Sequence, residues 1–289
     1  QNHYVEPSSI NLQLFYDDSN TLLVYTPDKD NSLIGDIKLT MFTAILFDKD
    51  GVLLDLKGTW LNSAIAFTHY LSQKTGGSHP ASVFQTIIGI DETSRSIDHG
   101  GLFASGSLRD QFDACSRDVP ELAPLFADSA KVRVMIDDVF LKEREQTLNT
   151  IGSVPNGNVA AGVTDLKEAG YKLGVLTNDS EQSARRGCSD IKIADMMDVF
   201  IGYDSGYGSK PEADGFLAAC TALGVTPAET VMIGDTSADI GAAKAAGAGL
   251  FIGVSAMYPE RTKPLQDIEH IVADTTGIAP ILARLAKAS

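Results

Sequence analysis

Apolar and polar positions change rhythm along this chain. Near its start Ile10, Leu12 and Leu14 alternate with polar residues, and Asp17-Asp18-Ser19-Asn20 interrupts them. Leu22 to Tyr25 is a second apolar run, and Leu33 to Leu39 a third. Period-two alternation between polar breaks predicts a small β-meander over residues 1–40. From Met41 onward the apolar residues come in short solid runs, at 44–47, 172–176, 200–201, 231–233, 250–252 and 271–273. Runs of this kind read as strands covered on both faces. Helical spacing over 159–169, 180–188, 212–223, 238–246 and 278–287 separates or follows them. Strands alternating with helices imply βαβ units, hence an α/β fold built on a parallel, doubly wound, Rossmann-like sheet.

The first core run is cut off from the second by a long block with a different pattern. Helical spacing is visible over 59–74, 107–116, 121–127 and 130–148, with Gly, Ser and Pro breaks between, and Gly152, Pro155, Asn156 and Gly157 close the block. It reads as an α-helical cap inserted over the strand ends. The expected organisation is therefore an N-terminal β extension (1–40, non-native or accessory), a core of 41–56 and 158–289, and a cap of 57–157. Met41 stands directly before the first core strand and is a candidate natural start.

Composition narrows the field of partners. Of 289 residues, 44% are hydrophobic, with a formal net charge of −15 and a pI near 4.6. A surface this acidic repels nucleic-acid phosphates and anionic lipid, so neither is an expected partner. An anionic substrate would need local positive charge. Cys115, Cys188 and Cys220 are too scattered for a metal site and read as buried thiols. No apolar run is long enough to span a bilayer and no leader pattern opens the chain, so the expected compartment is the cytoplasm.

Chemistry concentrates where the first core strand ends, in Phe47-Asp48-Lys49-Asp50-Gly51. Two carboxylates two residues apart converge on one side if the chain stays extended, at the strand end where open α/β sheets bind ligands. Gathered carboxylates repel one another unless a cation or shared proton intervenes. That cost points to a metal site with one nucleophilic and one proton-carrying acid. Three further signals follow in order, each at a strand end or helix start. They are Thr177-Asn178, Lys210-Pro211 and Gly234-Asp235-Thr236-Ser237-Ala238-Asp239.

These four motifs, in this order and context, resemble the haloacid dehalogenase superfamily, in its phosphatase branch with a helical cap, over roughly residues 42–289. Lys57-Gly58-Thr59-Trp60 extends the likeness to phosphoglycolate phosphatase-like members. The resemblance implies a Mg²⁺-dependent phosphoric monoester hydrolase acting on a small phosphorylated metabolite, as monomer or homodimer. It implies Asp48 as nucleophile and Asp50 as general acid and base. Thr177 and Asn178 would hold the phosphoryl oxygens, and Lys210 would neutralise charge. Asp48, the backbone carbonyl of Asp50 and Asp235 would hold Mg²⁺. Asp239, four residues on, is an acid that supports the metal's ligands from behind, a partner that orients Lys210, or an acid favoured by the helix dipole.

The cap yields less. Trp60, the only tryptophan, packs the hinge or lines the substrate pocket. Residues 99–107 form a flexible glycine-rich loop that reads the leaving group, or an ordinary helix connection. Arg95 and Arg109 flank it and could contact a substrate carboxylate. His3 reads as a solvated terminal residue, and His69, His79 and His270, without partners at ligand spacing, read as structural or surface residues. A phosphomutase of the same superfamily and a non-catalytic phosphoryl-binding module are the competing readings. A dehalogenase fits less well because Asp50 is present, and no cap lysine can be placed for a phosphonatase.

Overall fold

A computed structural model describes residues 42–98, 100–127, 153–255 and 265–288, together with the strands Gln13–Tyr16 (β1), Thr21–Tyr25 (β2) and Leu33–Lys38 (β3). The chain divides into two compact units, Gln1–Met41 with Pro280–Ser289, and Phe42–Ala279. In the first, β1 pairs antiparallel with β2 and β2 with β3, the meander that the alternating pattern predicts.

The second unit is built on a six-stranded parallel sheet. Its strands are Ala44–Phe47 (β4), Lys172–Leu176 (β7), Val199–Ile201 (β8), Thr230–Gly234 (β9), Leu250–Val254 (β10) and Ile271–Val272 (β11), in the order β11-β10-β9-β4-β7-β8. Every residue of β4 and β9 is buried, as solid apolar runs require. The chain moves outward from β4 through β7 to β8, then crosses back to β9 on the other side of β4. The carboxyl ends of β4 and β9 therefore flank the point where winding reverses, which is where such sheets leave a crevice. Register brings the motifs level. Phe47 pairs with Val175 and with Ile233, so Asp48 stands beside Leu176 on one flank and Gly234 on the other. Thr177 and Asp235 each follow one residue later.

Helices Val159–Glu168 (α6), Glu181–Asp190 (α7), Asp214–Leu223 (α8) and Ser237–Ala246 (α9) flank this sheet. Phe216, Ala219 and Cys220 of α8 pack on Leu46, Leu176 and Met232. Each fully buried large apolar side chain contributes about 1.5–3 kcal/mol.

The insert has its own core. Leu56–Lys74 (α1), Ala81–Ile88 (α2) and Leu108–Asp118 (α4) close around Phe67, Phe84 and Phe112, and Phe112 stacks at 4.7 Å on Phe126 of the short helix Ala123–Phe126 (α5). Two features depart from the expected pattern. The sequence Ala-Ser-Val-Phe-Gln-Thr-Ile-Ile is rich in β-branched residues and carries no helical expectation, yet it forms α2. Burial of Phe84 and Ile88, with Gly89 in the left-handed region at its end, overrides a weak propensity. A two-residue hairpin, Ile90–Asp91 (β5) with Ser96–Ile97 (β6), adds strand to an insert expected to be helical. Segments that short carry no readable period. The helix expected over 130–148 lies outside the described residues. Among the described residues no helix is long and apolar enough to cross a membrane.

Candidate active site

The first motif does not stay extended. The strand ends at Phe47 and the chain turns at once: the amides of Leu53 and Leu54 both donate to Lys49 O, at 2.9 and 2.8 Å. Gly51 sits at φ +87°, a left-handed conformation that a side chain resists. The alternation that would have put Asp48 and Asp50 on one face is thus replaced by a tight turn, and both still line one cleft. Asp48 is anchored to the sheet through its amide, which donates to Ile233 O at 2.9 Å.

Opposite Asp48 stands Lys210. Its Nζ lies 2.7 Å from Asp48 Oδ1 and 2.7 Å from Asp239 Oδ1, with all three side chains buried. Asn178 holds the lysine in place: its Oδ1 accepts from the Lys210 amide at 2.8 Å, and its Nδ2 donates to the Lys210 carbonyl at 3.0 Å. The same Nδ2 reaches Ser105 O in the cap at 3.2 Å. Asn178 therefore braces the lysine loop and bridges core to cap through its side chain. Thr177 is buried beside it and lines the cleft, its hydroxyl accepting from the Asp179 amide at 3.1 Å.

Asp239 is a structural anchor as well as an ion-pair partner. Thr236 caps α9, and Asp239 completes a capping box with it. Oδ2 of Asp239 accepts from the amides of Asp235 and Thr236, at 3.1 and 2.9 Å, and from the Thr236 hydroxyl at 2.7 Å. That leaves Oδ1 for Lys210. Gly234 lets the loop close on it: a Cβ there would fall 2.3 Å from Asp239 Cβ.

Carboxylate oxygens of Asp48, Asp235 and Asp239 lie within 4.8 Å of one another, all buried. Burial pushes the Asp48 carboxyl well above its usual range, with Asp239 and Asp235 adding to the rise and Lys210 opposing it. Burial opposes the charge on Lys210 too, but Asp239 and Asp48 hold its ammonium above the ordinary lysine range. With all groups ionised, three carboxylates face one ammonium, a local charge of −2. A divalent cation fits that shortfall and the hard oxygen donors present.

Asp50 is held differently. Trp60 Nε1 donates to Oδ1 at 2.8 Å, and Lys49 Nζ lies 2.9 Å from Oδ2. Lys49, between the two aspartates, is wholly buried and also pairs with Asp179. Burial disfavours its charge, yet Asp179 and Asp50 hold the ammonium above its usual range. No role for Lys49 or Asp179 follows from the sequence motifs. A signal was there: a residue between two acids at the end of a buried strand points inward, and a buried lysine needs partners.

The cleft has a volume of about 830 Å³ and runs from Asp48 up to the cap helices. Trp60 both packs against the cap core and lines this cleft. Within 99–107 the expected flexible loop contains a short helix, Leu102–Ser105 (α3), seated between Gly89 and α4, and its Phe103 and Ser105 face the cleft. Arg95 is spent on Asn62 Oδ1 at 2.9 Å and does not line the cleft, and Arg109 lines it while paired with Asp113 at 3.1 Å. His69 and His79 bind surface glutamates, Glu92 and Glu121. The three cysteines are free and buried, and burial pushes the Cys115 and Cys188 thiols up to about 12.

The comparison with known proteins places the chain in a family. The chain belongs to the haloacid dehalogenase-like hydrolases, whose model matches residues 42–247. It is 27% identical over 210 residues to a plasmid-encoded phosphoglycolate phosphatase of Cupriavidus necator, covering 71% of this chain and 78% of that one. It is 41% identical over 83 residues to a putative pyrophosphatase, PpaX, of Clostridium perfringens, covering 29% of this chain and 39% of the relative. The shorter match thus spans well under half of that relative's length. Among solved structures, a β-phosphoglucomutase of Clostridium difficile superposes with a TM-score of 0.58 at 20% identity, covering 86% of this chain and all of that one. At that identity the likeness shows the fold.

Proposed function

We propose that this protein is a Mg²⁺-dependent phosphatase that hydrolyses a small phosphate monoester through an aspartyl-phosphate on Asp48. The observation that carries this reading is the Lys210 ammonium 2.7 Å from Asp48, inside a cluster of buried acids. A dianionic phosphate can approach a carboxylate only where cations offset the negative charge: Lys210 supplies one at Asp48, and a divalent ion held by the acids would supply the rest.

A carboxylate oxygen of Asp48 attacks phosphorus as the ester P–O bond breaks, and Asp50 gives its proton to the departing alkoxide. The product alcohol leaves, with the phosphoryl group on Asp48. Water then attacks phosphorus while Asp50 takes its proton, the bond to Asp48 breaks, and inorganic phosphate leaves with both aspartates restored. Thr177 and the backbone at Asn178 hold the phosphoryl oxygens, and Lys210 balances the charge that builds on them. Asp48, Asp235 and the backbone carbonyl of Asp50 would hold Mg²⁺, which supplies further positive charge to the phosphoryl group.

Phosphoglycolate is the leading substrate, supported by the name of the relative with the longest match described above. Water is the acceptor in this reading; transfer to a sugar phosphate would mark a mutase instead. The test is phosphate release from 2-phosphoglycolate, pyrophosphate and sugar phosphates with and without Mg²⁺. Asp48→Asn is expected to abolish turnover while circular dichroism and the unfolding midpoint stay near those of the parent. Retained turnover in that variant refutes the covalent route.

A further inference from the structure

Asp50 is gripped from two sides, by groups that belong to different parts of the fold. Lys49 Nζ lies 2.9 Å from Oδ2, and Trp60 Nε1 donates to Oδ1 at 2.8 Å. The lysine is fixed in turn: it pairs with Asp179 Oδ2, reaches Ser183 Oγ at 3.4 Å, and its ammonium sits 4.8 Å from the centroid of the Trp60 ring. Lys49 and Asp179 come from the core, next to the first and second motifs. Trp60 comes from α1, the first helix of the cap.

Packing alone does not account for this arrangement. Lys49 is 0% exposed, and stripping water from an ammonium costs several kcal/mol that only well-placed partners offset. A methionine or leucine would fill the same space with no charge to compensate. The partners instead place one donor on each oxygen of one carboxylate, which fixes both side-chain torsions of Asp50.

We infer that Lys49 and Trp60 form a clamp that positions Asp50 for proton transfer to the leaving group, so that the acid–base step depends on how the cap's first helix is seated on the core. Both are positioning residues, since they touch Asp50 and act through it. The inference rests on the assignment of Asp50 as the acid and base in the proposed reaction.

The clamp predicts a loss that depends on the leaving group. An alkyl phosphate such as 2-phosphoglycolate expels a basic alkoxide and needs the proton from Asp50. p-Nitrophenyl phosphate expels a stable phenolate and does not. The ratio kcat/KM reports only the steps up to departure of the alcohol, so later hydrolysis of the phosphoenzyme does not blur the comparison. With Mg²⁺ present and the full chain used, Lys49→Met is expected to lower kcat/KM on the alkyl ester by roughly 10–100-fold, the usual loss when an orienting partner is removed, and to leave the aryl ester within about threefold. Trp60→Phe, which keeps an aromatic ring at the position and removes the N–H, is expected to discriminate in the same direction. It decides the matter if Lys49→Met does not fold. Emission from the only tryptophan should also shift in Lys49→Met, because the ammonium leaves its ring.

Equal losses on both esters, or none on either, overturn the clamp. Asp50→Asn separates the two levels of inference. A selective loss in Asp50→Asn without one in Lys49→Met or Trp60→Phe removes the clamp alone. No selective loss in Asp50→Asn removes the acid–base assignment and the clamp with it.

Discussion

Lys210 shows how much depends on single groups at this site. Among the described residues it is the cation within hydrogen-bonding distance of Asp48, and it also holds Asp239. Removing one partner from a buried charge cluster costs about 3–5 kcal/mol, because the remaining charges stay buried without compensation. Lys210→Met is therefore expected to lower the urea midpoint substantially and to cut turnover by at least ~10²-fold, a loss of the size seen when one stabilising donor is deleted. A midpoint unchanged from the parent would show that the acids do not rely on this ammonium. Lys210 and Asp235 were visible in the sequence as candidates because each follows a strand or opens a helix at a motif position. Lys49 was passed over, although it is the more deeply buried lysine. Its importance comes from Asp179 and Trp60, which are 130 and 11 residues away and which no local pattern links to it.

The elements were legible where they are long or strongly patterned. The buried runs that form β4, β7 and β9 stand out, and an acid in the first turn of α9 was expected from the helix dipole, whereas its capping box with Thr236 appeared only in the structure. Short elements of the cap were not legible, since α2, α3 and the β5–β6 hairpin exist because their apolar side chains pack, not because of local preference. The cap on α9 gives a test at this scale. Thr236→Ala is expected to destabilise the protein by about 0.5–2 kcal/mol, and Thr236→Ser to restore most of that, because the serine hydroxyl can make the same bond to Asp239. Chemical denaturation of the three proteins side by side checks the order. If alanine equals threonine, the box contributes nothing.

Across the whole molecule, carboxylates tie distant segments together and make stability depend on pH. Asp198, just before β8, accepts two bonds from Lys167 of α6 at 2.8 Å and one from the Leu173 amide of β7 at 2.8 Å. Partial burial works against its charge, but the Lys167 ammonium and these bonds hold the carboxyl below its usual range. Asp274 is held low in the same way: burial opposes it, while the Asn158 amide and the Thr276 hydroxyl and amide outweigh that. A carboxyl depressed in the folded state binds its proton less readily there than in the unfolded chain. The stability it contributes is present above the ordinary carboxylate pKa and is lost as pH falls through the folded-state value. The urea midpoint should accordingly fall on acidification from neutral pH through the carboxylate range. Asp198→Asn should lower the neutral-pH midpoint and flatten that fall, and an identical slope in the variant would remove Asp198 from the account.

The sequence by itself determined the parallel α/β core, the position of an insert after its first strand, and the residues at which chemistry was to be sought. It could do so because fully buried strands are solid apolar runs and because acids at their ends stand out against them. Tertiary structure decided what those residues became. Register put Asp48 beside Gly234 and Leu176, a turn replaced an extended path at Asp50, and the Asn178 side chain was set to brace Lys210. Electrostatic pairing of buried groups depends on distances across strands and between core and cap, and those distances exist only once the chain has folded.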